Sequence, residues 1–382
     1  MVVPLAARYV AAAVGLLLVA TSAASVVGTL IVPRSVTSWL TGLIDKLVDA
    51  GYKLATKRSF DLHRRDRILA TQAATLLICQ LIGWLLLYFV GFSLMFWPLV
   101  HGGITDAFRT AGPGLWEIGT DRARGGPQQA IIDVASLVGI ITITLQIAYL
   151  PSLYAEFNRR ETEVALLAAR AGVPSWGPEL LARTHYALGS GVSAVNTLPD
   201  LYQTWERWSA DVAESHTTYL PLVRFRSPRG GSSWVTAMLA VLDSAAMILS
   251  LSPSQVAVVP TRLCLRGGFT CFQQIALAMG FDVPDDPGPD AQISLTYDEF
   301  LEAIARLEEV DFPIERDPAE AWPDFVGWRA NYEQAAYSIA YALDVVPAMW
   351  SGPRRHGDAP IRPKRPPQGR PPANGGYRNP VR

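Results

Sequence analysis

The side chains best suited to binding or chemistry lie in a short polar stretch between two long apolar segments of this 382-residue chain. Thr105, Asp106 and Phe108 open the stretch. It closes on five consecutive residues that combine carboxylates, a hydroxyl and a glycine: Glu117, Ile118, Gly119, Thr120 and Asp121. Carboxylates and backbone carbonyls at membrane depth can replace the hydration shell of a cation. The stretch therefore predicts cation coordination, provided that the neighbouring elements bring it into the membrane.

Glycine and proline divide this stretch into a helix and an extended segment. Residues 104–111 favour two turns of helix, and the Gly-Pro-Gly sequence at 112–114 is predicted to end it, with extended chain or turns beyond. A short helix and a glycine-bearing segment between spanning helices predict a reentrant loop over 101–130. The alternative is a loop on the outer surface, in which Trp116 lies among the head groups and Glu117 is hydrated.

No other group of residues predicts catalysis or a cofactor site. Cys264 and Cys271 flank an arginine–glycine sequence, predicted as a turn, and have no Cys or His partner at zinc spacing. The aspartates at 282–290 lack the alternation and the glycine of a calcium loop. The sequence has no phosphate-binding loop, dinucleotide fingerprint or Ser-His-Asp signature. We therefore expect no enzymatic activity, no cofactor and no metal.

Three segments are long and apolar enough to cross a bilayer, which takes about 20 predominantly apolar residues. They lie at Tyr9–Val32, at about 73–100 and at about 131–157. Half of all residues are hydrophobic and 18% are charged, with a net charge of −1, which excludes a disordered chain and a generally basic nucleic-acid binder. The chain is thus predicted to be an all-α integral membrane protein with an anchor helix in 1–33. A cleaved signal peptide is the alternative for that helix, although its apolar run exceeds the usual length.

The segment 34–69 between the first two spans indicates the orientation. It holds eight Lys or Arg residues against four Asp residues. Short basic loops remain on the cytoplasmic side of a membrane. We therefore predict a multi-pass protein of the cell membrane with its N-terminus outside and everything after the third span in the cytoplasm.

The same basic segment is predicted to contain an amphipathic helix. Its apolar residues recur at spacings of three and four: Val36, Trp39, Leu40, Leu43, Ile44, Leu47 and Val48. The basic residues expected to reach anionic head groups at the inner membrane surface are Lys46, Lys53, Lys57, Arg58, Arg64 and Arg65. The alternative is a helix packed on the cytosolic part of the protein.

The remainder of the chain divides into an acidic domain and a basic tail. Across 158–350, acidic residues outnumber arginines by 24 to 13 and the apolar spacing is helical, which predicts an α-helical cytosolic domain. Residues 233–251 are apolar enough to span a membrane, but Asp243 at their centre favours a buried core helix. The Pro-rich residues 351–382 are predicted to be disordered, either solvated or held against anionic lipid or the acidic domain.

The block 73–157 resembles the pore domain of the potassium channel superfamily, which runs from an outer helix through a pore helix and a filter to an inner helix. The residues that carry the resemblance are 105–108, 115–119 and the run 149–157. This two-span, reentrant-loop arrangement, as in channel-like membrane proteins of high-GC bacteria, implies a tetramer with a permeant cation at its centre. The preceding amphipathic helix is similar in placement to the slide helix of some two-span members.

The filter departs from the family signature Thr-Val-Gly-Tyr-Gly followed by Asp. Only Gly119 matches; Glu117, Ile118, Thr120 and Asp121 replace the Thr, Val, Tyr and second Gly. A ring of Glu117 carboxylates from several subunits would instead form a cation site of the kind found in less selective channels.

We therefore expect an oligomeric, ion-channel-like protein of the potassium type with a degenerate filter and no nucleic-acid partner. Its partners are the lipid bilayer and further copies of the chain, because two pore helices and one loop cannot enclose a conduit alone. The alternative is a non-conducting, membrane-anchored scaffold or sensor that retains the pore-like fold for oligomerisation.

Overall fold

The computed structural model describes residues 4–32, 38–59, 61–100, 102–116, 126–185, 194–284, 286–288 and 291–364. Within these ranges the protein is helical and has no β-strand. The chain divides into two compact units. Unit 1 comprises Met1–Glu161, Asp211–Arg226 and Leu277–Phe281, and unit 2 comprises Thr162–Ala210, Ser227–Ala276 and Asp282–Arg382.

The α-helices of the described ranges are, in chain order, α1 (Leu5–Leu30), α2 (Trp39–Thr56), α3 (Leu62–Ala70), α4 (Gln72–Phe96), α5 (Ile104–Trp116), α6 (Gly126–Ala171), α7 (Gly177–Arg183), α8 (Leu198–Thr218), α9 (Trp234–Leu251), α10 (Val258–Ala278), α11 (Tyr297–Glu308), α12 (Pro318–Ala330) and α13 (Glu333–Leu343). Short 3₁₀ turns lie at Trp97–Leu99, Ala194–Thr197, Leu220–Arg224 and Pro253–Gln255.

Among the described residues, four stretches are long and apolar enough to cross a membrane: Leu5–Leu30, Leu62–Leu99, Gly126–Ala171 and Trp234–Leu251. The first three lie wholly or mainly in unit 1 and correspond to the three predicted spans. The protein is therefore a helical membrane protein, as the length and placement of its apolar segments predicted.

Helices α1 and α4 form a closely packed antiparallel pair in unit 1. Gly15 lies against Gly91, and a Cβ atom on Gly15 would collide with the carbonyl oxygen of Gly91. Further along α1, the Oγ of Ser25 accepts a hydrogen bond of 2.9 Å from the indole nitrogen of Trp84. The two glycines allow the backbones to approach, which is how helices commonly associate within membranes.

Helix α2 packs on α4 with only part of its apolar surface. Ser38 caps the helix by accepting a hydrogen bond of 3.2 Å from the Thr41 backbone nitrogen. The predicted single apolar face divides into two. Leu40, Ile44 and Val48 are buried with α4 side chains, whereas Trp39, Leu43 and Leu47 are exposed. The two faces are adjacent on the helix surface, so the spacing of apolar residues in the sequence could not distinguish them.

Helix α6 is much longer than a bilayer is thick. Its 46 residues extend about 69 Å at 1.5 Å per residue, against a hydrocarbon core of about 30 Å. The third span therefore continues as helix beyond the length that a bilayer requires, as far as Ala171.

Helix α9 is the centre of unit 2 and is surrounded by protein. Of its 18 apolar-stretch residues, 94% are buried, compared with 33% of the most apolar 18 residues in Leu62–Leu99. Helices α7, α12 and α13 pack against it. The prediction of a buried core helix at 233–251 is thus supported by its surroundings.

The predicted turn between Cys264 and Cys271 is wrong, because α10 continues through it. Gly268 lies against Leu242 of α9, so closely that a Cβ atom would collide with the leucine side chain. The glycine serves helix packing instead of a turn. Both thiols are buried, and burial raises the pKa of each well above that of a free cysteine.

Candidate functional site

Helix α5 packs against the C-terminal part of α4 and the N-terminal part of α6 rather than projecting away from them. Ala107 and Ala111 are buried against Phe96 and Ile132. The Phe108 ring meets the ring of Phe89 edge-on, with 5.4 Å between centroids. Phe89 precedes Phe96 by two helical turns, about 10 Å along the α4 axis. Helix α5 therefore turns back alongside α4.

The other two predicted pore-helix residues lie in the first turn of α5. Thr105 is exposed, and Asp106 accepts a hydrogen bond of 3.0 Å from the Gly103 backbone nitrogen. An acid in the first turn stabilises the helix N-terminus. The predicted filter residues Glu117, Ile118, Gly119, Thr120 and Asp121 lie outside the described residues.

The predicted helix break at 112–114 is wrong, because α5 extends to Trp116. Proline fixes a φ angle that suits a helix and removes one backbone hydrogen bond. The residue before a proline normally leaves the helical region because its Cβ clashes with the proline ring. Gly112 has no Cβ, so the helix passes through Pro113 for its last turn.

Five of the six predicted membrane-surface cations are exposed: Lys46, Lys53, Lys57, Arg58 and Arg64. Arg65 contradicts the prediction, because only 1% of it is accessible and its guanidinium donates to the Ser59 carbonyl at 3.3 Å. It lies one turn before the buried Leu69 on the inward face of α3. A count of basic residues cannot separate the two faces of so short a helix.

Helix α2 also carries an acidic edge that sequence reasoning did not single out. Asp49 pairs with Arg224 through two hydrogen bonds of 3.1 and 2.9 Å and accepts a third, of 2.6 Å, from Gln72. One turn earlier, Asp45 accepts from Gln80 at 3.3 Å. Burial raises the pKa of Asp45, while the Arg224 guanidinium opposes the rise. The only signal in the sequence is the spacing of four between the two acids.

The residues 211–226, predicted as part of the cytosolic domain, belong to unit 1. Arg160 of α6 is buried and donates to the Leu222 and Phe225 carbonyls at 2.9 and 2.7 Å. It also pairs with Glu161 and lies 2.9 Å from the Nε2 of His216. Arg160 thus fixes this segment to the C-terminal part of α6.

Aromatic contacts extend the same attachment along α6. Tyr149 meets Tyr219 at 5.5 Å between ring centroids, and Phe225 meets both Tyr154 and Phe157 at 5.9 and 5.5 Å. The run 149–157, which carries part of the family resemblance, is therefore the surface on which residues 211–226 pack. No local pattern predicts this pairing.

Unit 2 contains a buried ionic cluster whose function is packing. Arg329 donates to Asp243, to Glu333 at 2.6 Å and to the Trp350 carbonyl at 2.7 Å. The Tyr332 hydroxyl donates to Asp243 at 2.8 Å. Every charge in the cluster has a partner, so it closes the core around α9. Among the described residues, no group of His, Cys, Asp or Glu is arranged to hold a metal ion.

No family model, curated protein or solved structure matches this chain. The chemistry of its own residues is therefore the basis for any functional assignment.

Proposed function

We propose that the protein is an oligomeric, cation-channel-like membrane protein whose pore module is formed by α4, α5 and α6. The observation that carries the proposal is the packing of α5 between the ends of two spanning helices, with Phe108 against Phe89 and Ala111 against Ile132. A short helix that returns alongside a span is the arrangement by which pore modules bring a coordinating loop to membrane depth.

The electrostatics of α5 favour a cation at its C-terminal end. The aligned peptide dipoles place about half a negative charge at the C-terminus of a helix. Glu117 follows the last helical residue, Trp116, and would add a carboxylate at the same place. A ring of such ends from several subunits is the proposed cation site, with selectivity unlike that of a full potassium filter.

Assembly is part of the proposal, because one chain contributes one α5 and two flanking helices. The resemblance to potassium channels suggests a tetramer. Exposed apolar residues on α6, among them Val134, Leu137 and Ile141, supply surface for lipid or for further copies of the chain. The basic segment 34–69 supports placing α5 on the outer side and unit 2 in the cytoplasm.

Flux measurements on the reconstituted full chain test conduction. We expect vesicles that contain the protein to pass potassium and sodium, and Glu117→Gln to reduce the flux at least about tenfold by removing the carboxylate ring. Glu308→Gln is the matched control, because it removes one exposed carboxylate in unit 2. Absence of cation flux at every voltage and salt concentration would remove conduction and leave the non-conducting scaffold or sensor.

Cysteine labelling distinguishes these two candidates without a flux assay. Glu117→Cys is placed in a chain whose three native cysteines are replaced by alanine, and Glu308→Cys serves as the surface control. We expect the pore position to react slowly with a membrane-impermeant thiol reagent and to be protected by permeant cations. Labelling as fast as that of the control, unaffected by cations, supports the scaffold.

A further inference from the structure

We propose that α2 and α3 form a binding site for an anionic phospholipid, in which two arginines hold the phosphate and an apolar stripe holds the acyl chains. A cavity of about 810 Å³ opens between these helices. Its lining is Tyr52, Ala55, Arg64, Arg67, Ile68 and Thr71. The proposal does not depend on whether the protein conducts ions.

Arg64 and Arg67 have the geometry for a phosphate group. They lie three residues apart, on one face of α3, and both are exposed. In the part of the chain that the structure describes, neither makes a hydrogen bond or an ion pair, in contrast to Arg65 between them, which donates to Ser59. Guanidinium groups match the oxygens of a phosphate in charge and in shape.

The walls of the cavity are held in place by hydroxyl groups. The Tyr52 hydroxyl lies 2.8 Å from the Thr71 Oγ1 and 2.7 Å from the Thr75 Oγ1. These bonds join the end of α2 to the start of α4, so the cavity exists before a ligand binds. Such preorganisation reduces the entropic cost of binding.

The position of α2 argues that the occupant is a lipid. Contacts of α2 with α4 run from Asp45–Gln80 to Asp49–Gln72, so the two helices are antiparallel and α2 lies beside the first turns of a spanning segment. The residues of α2 that face away from α4 are 47–73% exposed: Trp39, Leu43, Leu47 and Leu54.

The charges beside the stripe favour an anionic lipid over a neutral one. Lys46, Lys53 and Lys57 are exposed and fall at the edge of the stripe on the helical wheel. Helices that combine an apolar stripe with flanking lysines lie in the interface of anionic membranes. A lipid there would place its phosphate in the cavity and its chains along Leu47 and Leu54.

Native mass spectrometry of the full chain tests the site. The protein is taken from nanodiscs of phosphatidylcholine with phosphatidylglycerol as the minor component, and the bound lipids are counted. We expect the wild type to retain phosphatidylglycerol selectively and Arg64→Gln/Arg67→Gln to lower its affinity roughly thirtyfold. Arg229→Gln/Arg266→Gln removes the same charge from exposed positions in unit 2 and is expected to retain the lipid.

Two further arms identify the source of the phosphate. Leu47→Ser/Leu54→Ser should weaken lipid retention while both arginines remain, and glycerol 3-phosphate should not displace the lipid. Displacement by glycerol 3-phosphate, together with no effect of the leucine changes, would assign the cavity to a free phosphate compound and overturn the lipid site. Equal retention by the arginine variant, equal loss in its control, or no preference of the wild type for phosphatidylglycerol would also overturn it.

Discussion

Two segments of the protein are long and apolar enough to cross a bilayer but have very different surroundings: Leu62–Leu99, which contains α4, and helix α9. In Leu62–Leu99, 33% of the most apolar 18 residues are buried inside the protein, whereas in α9 94% are buried. Apolar residues of α4 such as Ile82 and Leu86 are about half exposed, whereas Ile248 of α9 is fully buried. Unit 2 supplies its own apolar surroundings to α9, while unit 1 leaves its helices for lipid.

The polar residues of the two helices show the same difference. Asp243 lies at the middle of α9 and is paired with Arg329 and Tyr332. Helix α4 has no charged residue. Its buried polar residue Gln80 donates a hydrogen bond to Asp45 of α2. A buried charge is stable only when its partners are buried with it. The comparison therefore predicts that unit 2 depends on specific partners and unit 1 on apolar surface.

The largest effect is expected from breaking the ionic cluster around α9. Arg329→Met removes the partner of both Asp243 and Glu333 and leaves buried carboxylates uncompensated. We expect a loss of about 3–5 kcal/mol in the free energy of unfolding of unit 2. In thermal unfolding of the purified chain in detergent, this corresponds to a decrease in midpoint of roughly 10 °C.

Arg266→Met is the control for that change, because Arg266 is exposed in the same unit. Neutralising the partner as well, in Asp243→Asn/Arg329→Met, should recover part of the loss. Equal midpoints for the two arginine variants would mean that the buried pairing does not stabilise unit 2.

A smaller effect is expected from an identical truncation in each helix. Ile248→Ala creates a cavity in the core of unit 2 and should cost about 2–5 kcal/mol. Ile82→Ala removes a side chain that is 49% exposed, which detergent replaces, so its cost should stay near 0.5 kcal/mol. Denaturant titration of the two variants measures both values. Similar losses at the two positions would contradict the difference in burial between α4 and α9.

The sequence predicts the helical spans because apolar length is a local property, and Asp243 helped to separate α9 from the spanning helices. The sequence was less informative about which face of a helix is buried and which is exposed. The apolar residues of α2 divide between α4 and the exterior, and Arg65 is buried between the exposed Arg64 and Arg67. Spacing identifies a helix but does not say which neighbour covers which face.

Contacts between distant parts of the chain were beyond the reach of the sequence. Asp49 and Arg224 are 175 residues apart, and Arg160 reaches the Phe225 carbonyl across 65 residues. Neither pair has a local signature, because spacing along the sequence does not say which distant carboxylate or carbonyl an arginine will meet. The helix break at 112–114 failed for another reason. Glycine before Pro113 relieves the clash that normally ends a helix.

The last predicted effect concerns pH and separates the buried arginines of the two units. Arg329 in unit 2 is paired with two carboxylates, whereas Arg160 in unit 1 has Glu161, two carbonyls and His216. Since an arginine only donates, the Nε2 of His216 must accept and the ring must be neutral. Burial, and next the charge of Arg160, lower the pKa of His216 well below its ordinary value.

This shift fixes the sign of the pH dependence in unit 1. A histidine with a lower pKa in the folded state stays neutral there, while the unfolded chain takes up a proton below about pH 6.5. Stability is therefore complete above that pH and falls below it, by about 1.4 kcal/mol per pH unit until the folded pKa is reached. His216→Gln, whose amide can still accept from Arg160, should remove this slope in unfolding measured across pH. The exposed His63→Gln should keep it. An unchanged slope in the first variant would mean that the His216 ring is not held neutral, and the contrast with Arg329 would fail.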